Sequence, residues 1–126
     1  MCRPKDYIHD TYSKLFKNVY QSVLDQPTTS PTITQTPVGP IIAGNNVLLT
    51  CTIQGGNPVA TIMWSCDGTT QITPTESPST EDAISSVELV TSINNNGQIC
   101  TCTGRHILWT NDKPQQQTIT VYCKYK

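Results

Sequence analysis

Apolar and polar residues alternate along several short stretches of the chain. The clearest stretch is residues 46–54, in which Val47, Leu49, Cys51 and Ile53 share one side. The others are residues 60–66, residues 87–93, the segment that contains Cys100 and Cys102, and residues 118–123. Such alternation is typical of antiparallel strands that turn one face to a core and the other to water. It predicts an all-β fold.

The first part of the chain follows a different period. Between residues 5 and 25, apolar side chains recur every three or four positions, which is the pattern of an amphipathic helix. They are Ile8, Tyr12, Leu15, Phe16, Val19, Tyr20 and Val23. Residues 1–26 are therefore predicted to be an N-terminal helical segment. A lone helix of this length is only marginally stable in water, so it docks on the rest of the chain, pairs with a partner, or is a tail without a specific role.

Proline and threonine dominate residues 27–40, which are predicted to be a linker and the start of the first edge strand. Edge strands tolerate proline, so this strand is expected to begin as early as residue 31. The strand-rich domain is predicted to cover residues 41–126. Within it, residues 67–82 are predicted to be a polar loop with a short edge strand near Gln71-Ile72.

Several sequence motifs accompany the alternating stretches. They are Leu49-Thr50-Cys51, Gly55-Gly56-Asn57-Pro58, Trp64, the Asn96-Gly97 turn before Cys102, and Thr118-Ile119-Thr120-Val121-Tyr122. Together these motifs resemble those of the immunoglobulin superfamily, over residues 31–125. They are most similar to constant-type or intermediate-type domains of invertebrate adhesion and immune proteins. The resemblance implies an immunoglobulin-like antiparallel β-sandwich.

The resemblance also implies a central disulfide bridge. In the superfamily a disulfide joins the two sheets, and a buried tryptophan packs against it. Carried over to this chain, Cys51 pairs with Cys102 and Trp64 lies beside the bridge. The alternating pattern places Leu49 and Leu89 in the same core.

Two further cysteines occupy positions that are unusual for the superfamily. Cys100 stands where a tyrosine normally ties a corner of the fold to the backbone, and Cys66 follows Trp64 by two residues. If the strands of Trp64 and Cys102 are antiparallel neighbours, as the resemblance implies, residue 66 lies opposite residue 100. Directly opposed residues are within reach of a disulfide. A Cys66–Cys100 bridge is expected, with two free buried thiols as the alternative.

Cys2 and Cys123 remain without an assigned partner. By elimination they are expected to form a third bridge, which requires the N-terminal segment to return to the end of the last strand. The alternative is that either cysteine joins a second molecule.

Composition narrows the compartment and the partners. Charged residues make up 13% of the chain and the net charge is −1, which gives no reason to expect nucleic acid or an anionic membrane as a partner. The six cysteines favour an oxidising, extracellular setting, as a secreted protein or an ectodomain. No stretch reaches the roughly 18–20 apolar residues of a membrane span, so no membrane insertion is expected. No secretory signal is recognisable at the start either, so a removed signal, a fragment or an incomplete sequence is expected.

Residues 104–117 are predicted to be the hairpin loop between the last two strands. The loop contains Arg105, His106 and Trp109, and arginine and tryptophan are favoured at the centres of protein interfaces. These three residues are the candidate binding residues. The alternative is that Trp109 and Leu108 fold back onto the end of the sandwich.

The residues that catalysis or metal binding requires are not grouped in the sequence. His9 and His106 lie far apart, and no cysteine outside the predicted core bridge has a neighbouring histidine that would activate it. Glu76, Glu81 and Asp82 lack the alternating ligands and the glycine of a calcium loop. We therefore expect no enzyme activity, no metal and no other cofactor.

The sequence favours an extracellular, non-catalytic module for protein–protein recognition or cell adhesion, with a protein ligand or a second copy as its partner. One alternative is a secreted innate-immune domain whose loop binds a pathogen or a glycan. Another is a structural unit that self-associates through its N-terminal helix or an exposed cysteine. The resemblance does not separate these functions, because one fold hosts many of them.

Overall fold

Two antiparallel sheets face each other in the computed structural model, which describes residues 24–67, 74–76 and 81–123. The first sheet contains β1 (Asp25–Pro27), β2 (Thr32–Thr36), β4 (Asn46–Asn57), β6 (Thr75–Glu76) and β7 (Asp82–Val90). The second contains β5 (Thr61–Cys66), β8 (Gln98–Arg105) and β9 (Lys113–Ile119). A short parallel pair is formed by β3 (Ile41–Ile42) and β10 (Val121–Tyr122).

Strand β4 is the centre of the first sheet. Strands β1 and β2 pair with different parts of β4 on one side. On its other side β4 pairs with β7, from Asn46 to Gln54, and β6 pairs with β7. In the second sheet β8 lies between β5 and β9. A single turn of 3₁₀ helix, Ile93–Asn95, leads from the first sheet to the second. The arrangement confirms the predicted immunoglobulin-like antiparallel β-sandwich.

Trp64 connects the two halves of the core between the sheets. One half surrounds Leu49 and the other surrounds Ile53, both of which are fully buried. Trp64 is partly buried and packs against both halves. Its Nε1–H donates a hydrogen bond of 3.1 Å to Oγ of Ser85, which has no exposed surface. Leu89 is partly buried against the half that contains Leu49.

The two disulfides predicted within the domain are both present. Cys51–Cys102 joins the two sheets with its Cα atoms 6.4 Å apart. Cys66–Cys100 joins the directly paired strands β5 and β8, with a Cα separation of 4.0 Å. All four cysteines are buried. The second bridge takes the place of the tyrosine corner, as the sequence predicted.

The third predicted bridge stays a prediction. Cys123 is exposed and has no disulfide partner among the residues that the structure describes. Cys2, its expected partner, lies outside those residues, as does most of the predicted N-terminal helix. The last residues of the predicted helical segment, Asp25 and Gln26, belong to β1.

The chain enters the sandwich at the end where β4 finishes. Asp25 is paired with Asn57 and Pro27 with Gly55. A Cβ atom on Gly56 would lie 3.0 Å from Cγ of Pro27, and both Gly55 and Gly56 have positive φ angles, of 73° and 95°. The Gly-Gly pair therefore gives β1 the room to lie against β4.

Within residues 27–40, predicted to be a linker and the start of the first edge strand, Pro27 and the five residues of β2 belong to the first sheet. Strand β2 pairs with β4 over five residues, with Ile33 opposite Cys51. The prolines do not interrupt it, because Pro31 precedes the strand and Pro37 follows it. The first edge strand was expected to begin as early as residue 31, and β2 begins at Thr32.

Two other strands extend further than the alternating pattern indicated. Strand β7 begins at Asp82 instead of residue 87. The apolar pattern missed this start because the inward residue Ser85 is polar and interrupts the apolar series. It ends at Val90, and Ile93 lies in the 3₁₀ turn. Gln71-Ile72, where a short edge strand was expected, lies outside the described residues; the strand described in this part of the chain is β6, Thr75–Glu76.

Strand β9 begins at Lys113, well before residue 118. Its three consecutive glutamines show no apolar alternation, yet they pair with residues 100–102 of β8, within a register that runs from Gly104 to Gln98. The hairpin loop is accordingly shorter than the predicted 104–117 and covers residues 106–112. The strand series ends with Val121 buried, while Cys123, predicted on the same inward face, is exposed.

Replacing Trp64 with phenylalanine should lower the free energy of unfolding by about 1–3 kcal/mol, because the buried Ser85 hydroxyl loses its partner. Urea denaturation of the oxidised protein, followed by circular dichroism, measures the change. In a Ser85→Ala background the same replacement should cost less, since no buried hydroxyl is then left unpaired. An equal cost in both backgrounds would show that packing alone accounts for the loss.

Candidate functional site

The loop between β8 and β9 lies at the end of the sandwich where β1 enters. It contains or adjoins all three predicted binding residues, Arg105, His106 and Trp109. Its neighbours are the Pro58–Val59 turn on one side and Gln26 of β1 on the other. The structure therefore brings the candidates together, and their contacts show what each contributes.

Arg105 braces the loop at its base. As the last residue of β8 it points outward, and Asp112 ends the loop directly beside it. The guanidinium donates from Nη2 to Oδ2 at 3.0 Å and from Nε to Oδ1 at 3.2 Å. The hydrogen bond to Asp112, and then the attraction of its carboxylate, raise the pKa of Arg105 above its ordinary value. Arg105 thus remains charged and paired with the opposite end of the loop.

His106 fixes the path of the loop from within. Its side chain is only 5% exposed. Nε2 lies 2.7 Å from the carbonyl oxygen of Pro58, while Nδ1 accepts a 3.1 Å hydrogen bond from the backbone N–H of Leu108. These two bonds assign the hydrogen to Nε2, because a carbonyl oxygen can only accept. The ring has no free nitrogen to offer a ligand.

Trp109 anchors the far side of the loop onto the sandwich. Its backbone N–H donates to the carbonyl oxygen of His106 at 3.0 Å. Its ring packs against the half of the core that contains Ile53 and passes close to Gly104. Lys113 Nζ lies 4.6 Å from the ring centroid on the outer side. Trp109 is therefore folded back onto the sandwich, as the alternative interpretation of this loop expected.

A Cβ atom at position 104 has no space in this arrangement. It would lie 2.5 Å from Cδ1 of Ile53, 3.1 Å from Cγ of Pro31 and 3.3 Å from Cζ3 of Trp109. Because residue 104 points inward next to the base of the loop, a side chain there would force Ile53, and to a smaller extent the ring of Trp109, to move. The anchor therefore depends on a residue of the strand as well as on the loop.

Two apolar side chains project from the braced loop. Ile107 is 74% exposed and Leu108 is 39% exposed. They stand between His106, which is buried, and Trp109, which is partly buried. Sequence reasoning selected the flanking residues and missed this pair as the exposed part. The available signal was two adjacent aliphatic residues next to Trp109 in a loop whose other residues are polar.

Shallow depressions flank the loop on both sides. One, of about 430 Å³, lies between the Pro58–Val59 turn, Arg105 and Ile107. The other, of about 340 Å³, lies between Gln26, Leu108 and Lys113. Both are open to solvent, so they suit the edge of a protein interface better than an enclosed small-molecule site.

The described part of the chain contains no group of three or more histidine, cysteine, aspartate or glutamate side chains that could hold a metal ion. Over the same residues, no helix is long and apolar enough to cross a membrane. The loop offers the apolar side chains of Ile107 and Leu108, with polar and charged side chains around them.

Comparison with known families agrees with this geometry. The family model of CD80-like C2-set immunoglobulin domains matches residues 27–108, from β1 to the tip of the loop. The chain belongs to this family. No curated protein sequence matches the chain.

Solved structures show the same fold for this C2-set domain. The full ectodomain of mouse nectin-like molecule 4, with three immunoglobulin domains, superimposes with a TM-score of 0.61 at 18% identity, covering 75% of this chain and 34% of that one. The two-domain structure Rst D1-D2 gives a TM-score of 0.65 at 22% identity, covering 79% of this chain and 51% of that one. The C2-set domain thus spans about a third and about half of their lengths.

Replacing Gly104 with alanine should destabilise the C2-set domain by about 1–3 kcal/mol, because the added methyl group overpacks the contact with Ile53 and Trp109. Thermal unfolding measures the loss, and tryptophan emission should shift to the red as Trp109 is displaced. Ile53→Val, which removes the crowded Cδ1 atom, should recover part of the loss in the double variant. Strictly additive losses would contradict the proposed crowding.

Proposed function

We propose that this C2-set domain is an extracellular module for protein recognition or adhesion, and that it contacts its partner with Ile107 and Leu108. The observation that carries the proposal is the exposure of this apolar pair on a loop that is braced at both ends. Arg105 pairs with Asp112 across the base, and His106 ties the loop to Pro58. A loop whose backbone is held in this way needs less ordering when a partner binds.

The size of the contact is consistent with a useful contribution to binding. Fully burying an isoleucine or leucine side chain contributes up to roughly 1.5–3 kcal/mol. Part of Leu108 is already covered, so the larger share would come from Ile107. In the proposed interface this pair forms the apolar centre, and the open depressions beside it form the rim.

The proposed compartment follows from the disulfides. Cys51–Cys102 and Cys66–Cys100 are both buried within the fold, and such bridges form and persist in oxidising environments. One of the structures with the same fold is an ectodomain. These observations support a secreted protein or an ectodomain.

A protein partner suits the loop better than a glycan. Sugars commonly stack on an exposed aromatic face, but the Trp109 ring packs against the core and carries Lys113 on its outer side. The guanidinium of Arg105 is already engaged by Asp112. The exposed apolar side chains of the loop are the aliphatic Ile107 and Leu108, which complement an apolar patch on another protein or on a second copy of this one.

To test the contact surface, the oxidised domain is displayed on multivalent beads and screened against an array of ectodomains that includes the domain itself. Ile107→Ser combined with Leu108→Ser should weaken the binding that is found at least tenfold, because the apolar contact is lost. Surface plasmon resonance measures the affinity.

The matched control combines Val38→Ser with Val90→Ser, two exposed valines that lie away from the loop. This control should bind like the parent protein. If both double variants bind equally well, the partner uses another surface. Both variants should show unchanged unfolding midpoints, which separates a loss of contact from a loss of fold.

A further inference from the structure

The two depressions beside the loop differ in the charged groups that line them. The depression next to Ile107 is lined by Arg105 and Asp112, which form the ion pair at the base of the loop. The depression next to Leu108 is lined by the same aspartate and by Lys113. Because the Asp112 carboxylate is held by the guanidinium of Arg105, the ammonium group of Lys113 is the free charge of the second depression.

Lys113 differs from the other basic residue that the structure describes. Over residues 24–67, 74–76 and 81–123 the basic residues are Arg105 and Lys113, and Arg105 is paired with Asp112. Lys113 Nζ instead lies over the Trp109 ring, 4.6 Å from its centroid. A ring face attracts a cation without neutralising it. Among the described residues, therefore, Lys113 is a cation without a carboxylate partner.

The strand pairing fixes where this charge is presented. Lys113 is the first residue of β9 and pairs with Gly104 of β8, close to the Trp109 ring. Its side chain is half-buried, whereas Leu108 in the same depression is 39% exposed. The second depression thus combines an aliphatic side chain with an ammonium group that is held in place.

Covering Leu108 with a partner has a consequence for Lys113. A protein surface that buries Leu108 also removes water from the depression, and a charge that loses its water without gaining a partner is strongly unfavourable. A basic side chain on the partner would add repulsion between like charges. A carboxylate at this position would replace the lost water with a charge-assisted hydrogen bond.

We propose that the partner presents an aspartate or glutamate next to the apolar side chains that contact Leu108, and that Lys113 binds this carboxylate. The inference rests on the proposed function, because it concerns the partner of the same loop. Lys113 then determines specificity: the loop accepts an apolar patch flanked by a carboxylate and rejects one flanked by lysine or arginine. Acidic residues outnumber basic ones in the described part of the domain, so the preference arises from direct contact and not from long-range attraction.

Phage-displayed cyclic peptides of random sequence test this preference without a known partner. The full, oxidised chain is the bait, at a salt concentration of about 0.15 M, where distant surface charges are screened. Peptides retained by the parent should be enriched in aspartate or glutamate next to an aliphatic or aromatic residue. Lys113→Glu should retain peptides enriched in lysine or arginine instead, whereas Lys113→Arg should keep the acidic preference.

One retained peptide is then synthesised with its acidic residue and, separately, with the corresponding amide. The parent should bind the amide version about tenfold more weakly, because a charge-assisted hydrogen bond is lost. Lys113→Gln should bind both versions alike. Glu88→Gln, which removes an exposed charge from the first sheet, is the control and should discriminate as the parent does. All variants should unfold at temperatures close to that of the parent.

Equal binding of both peptide versions to the parent would overturn the role of Lys113, and so would an acidic preference that persists in Lys113→Glu. Ile107→Ser combined with Leu108→Ser separates this failure from failure of the proposed function. If the double variant binds the peptide as the parent does, the loop is not the recognition surface. If it loses the peptide while Lys113→Glu keeps the acidic preference, the loop is the surface and another residue binds the carboxylate.

Discussion

The register of β5 against β8 is the constraint on which the rest of the domain depends. It places Trp64 opposite Cys102 and Cys66 opposite Cys100. A slip of one residue would turn Trp64 toward solvent and carry Cys66 to the wrong face of the sheet. The two disulfides therefore have different roles. Cys51–Cys102 joins the two sheets, whereas Cys66–Cys100 fixes the register of β5 against β8, which places Trp64 between both halves of the core.

The same alternation along β8 prepares the loop. Cys100, Cys102 and Gly104 point inward, while Arg105 points outward at the end of the strand. The inward glycine admits Trp109 to the core, and the outward arginine meets Asp112. Core and loop are consequently parts of one arrangement. The loop keeps its shape because its base continues a strand that is bridged by two disulfides.

Much of this architecture was accessible from the sequence. Apolar alternation located the centres of the main strands, and the paired oddities of Cys66 and Cys100 predicted the second bridge. The pattern did not predict the full length of strands whose backbones pair without alternating apolar side chains. In β7 the polar Ser85 interrupts the alternation, and in β9 three consecutive glutamines replace it. In the first case a tryptophan N–H satisfies the buried hydroxyl, and that contact between distant residues leaves no local trace.

The position of the loop between the last two strands was predictable from the sequence, but its contacts were not. The loop was identified by its position between the last two strands and by its arginine and tryptophan. Which of its residues face solvent depends on Gly104, Pro58 and Asp112, none of which marks an interface by type. His106 illustrates the point, because a histidine in a surface loop suggests a ligand contact until both ring nitrogens are found bonded to backbone.

The pairing of β3 with β10 has a mechanical consequence. The two strands run parallel, and Ile41 N–H and Ala43 N–H donate to the carbonyl oxygens of Thr120 and Tyr122, each at 2.8 Å. Tension that pulls β3 toward its beginning and β10 toward its end slides one strand along the other. These hydrogen bonds then bear the load together in shear instead of opening one after another. The junction resists traction better than an antiparallel pair that unzips from one end.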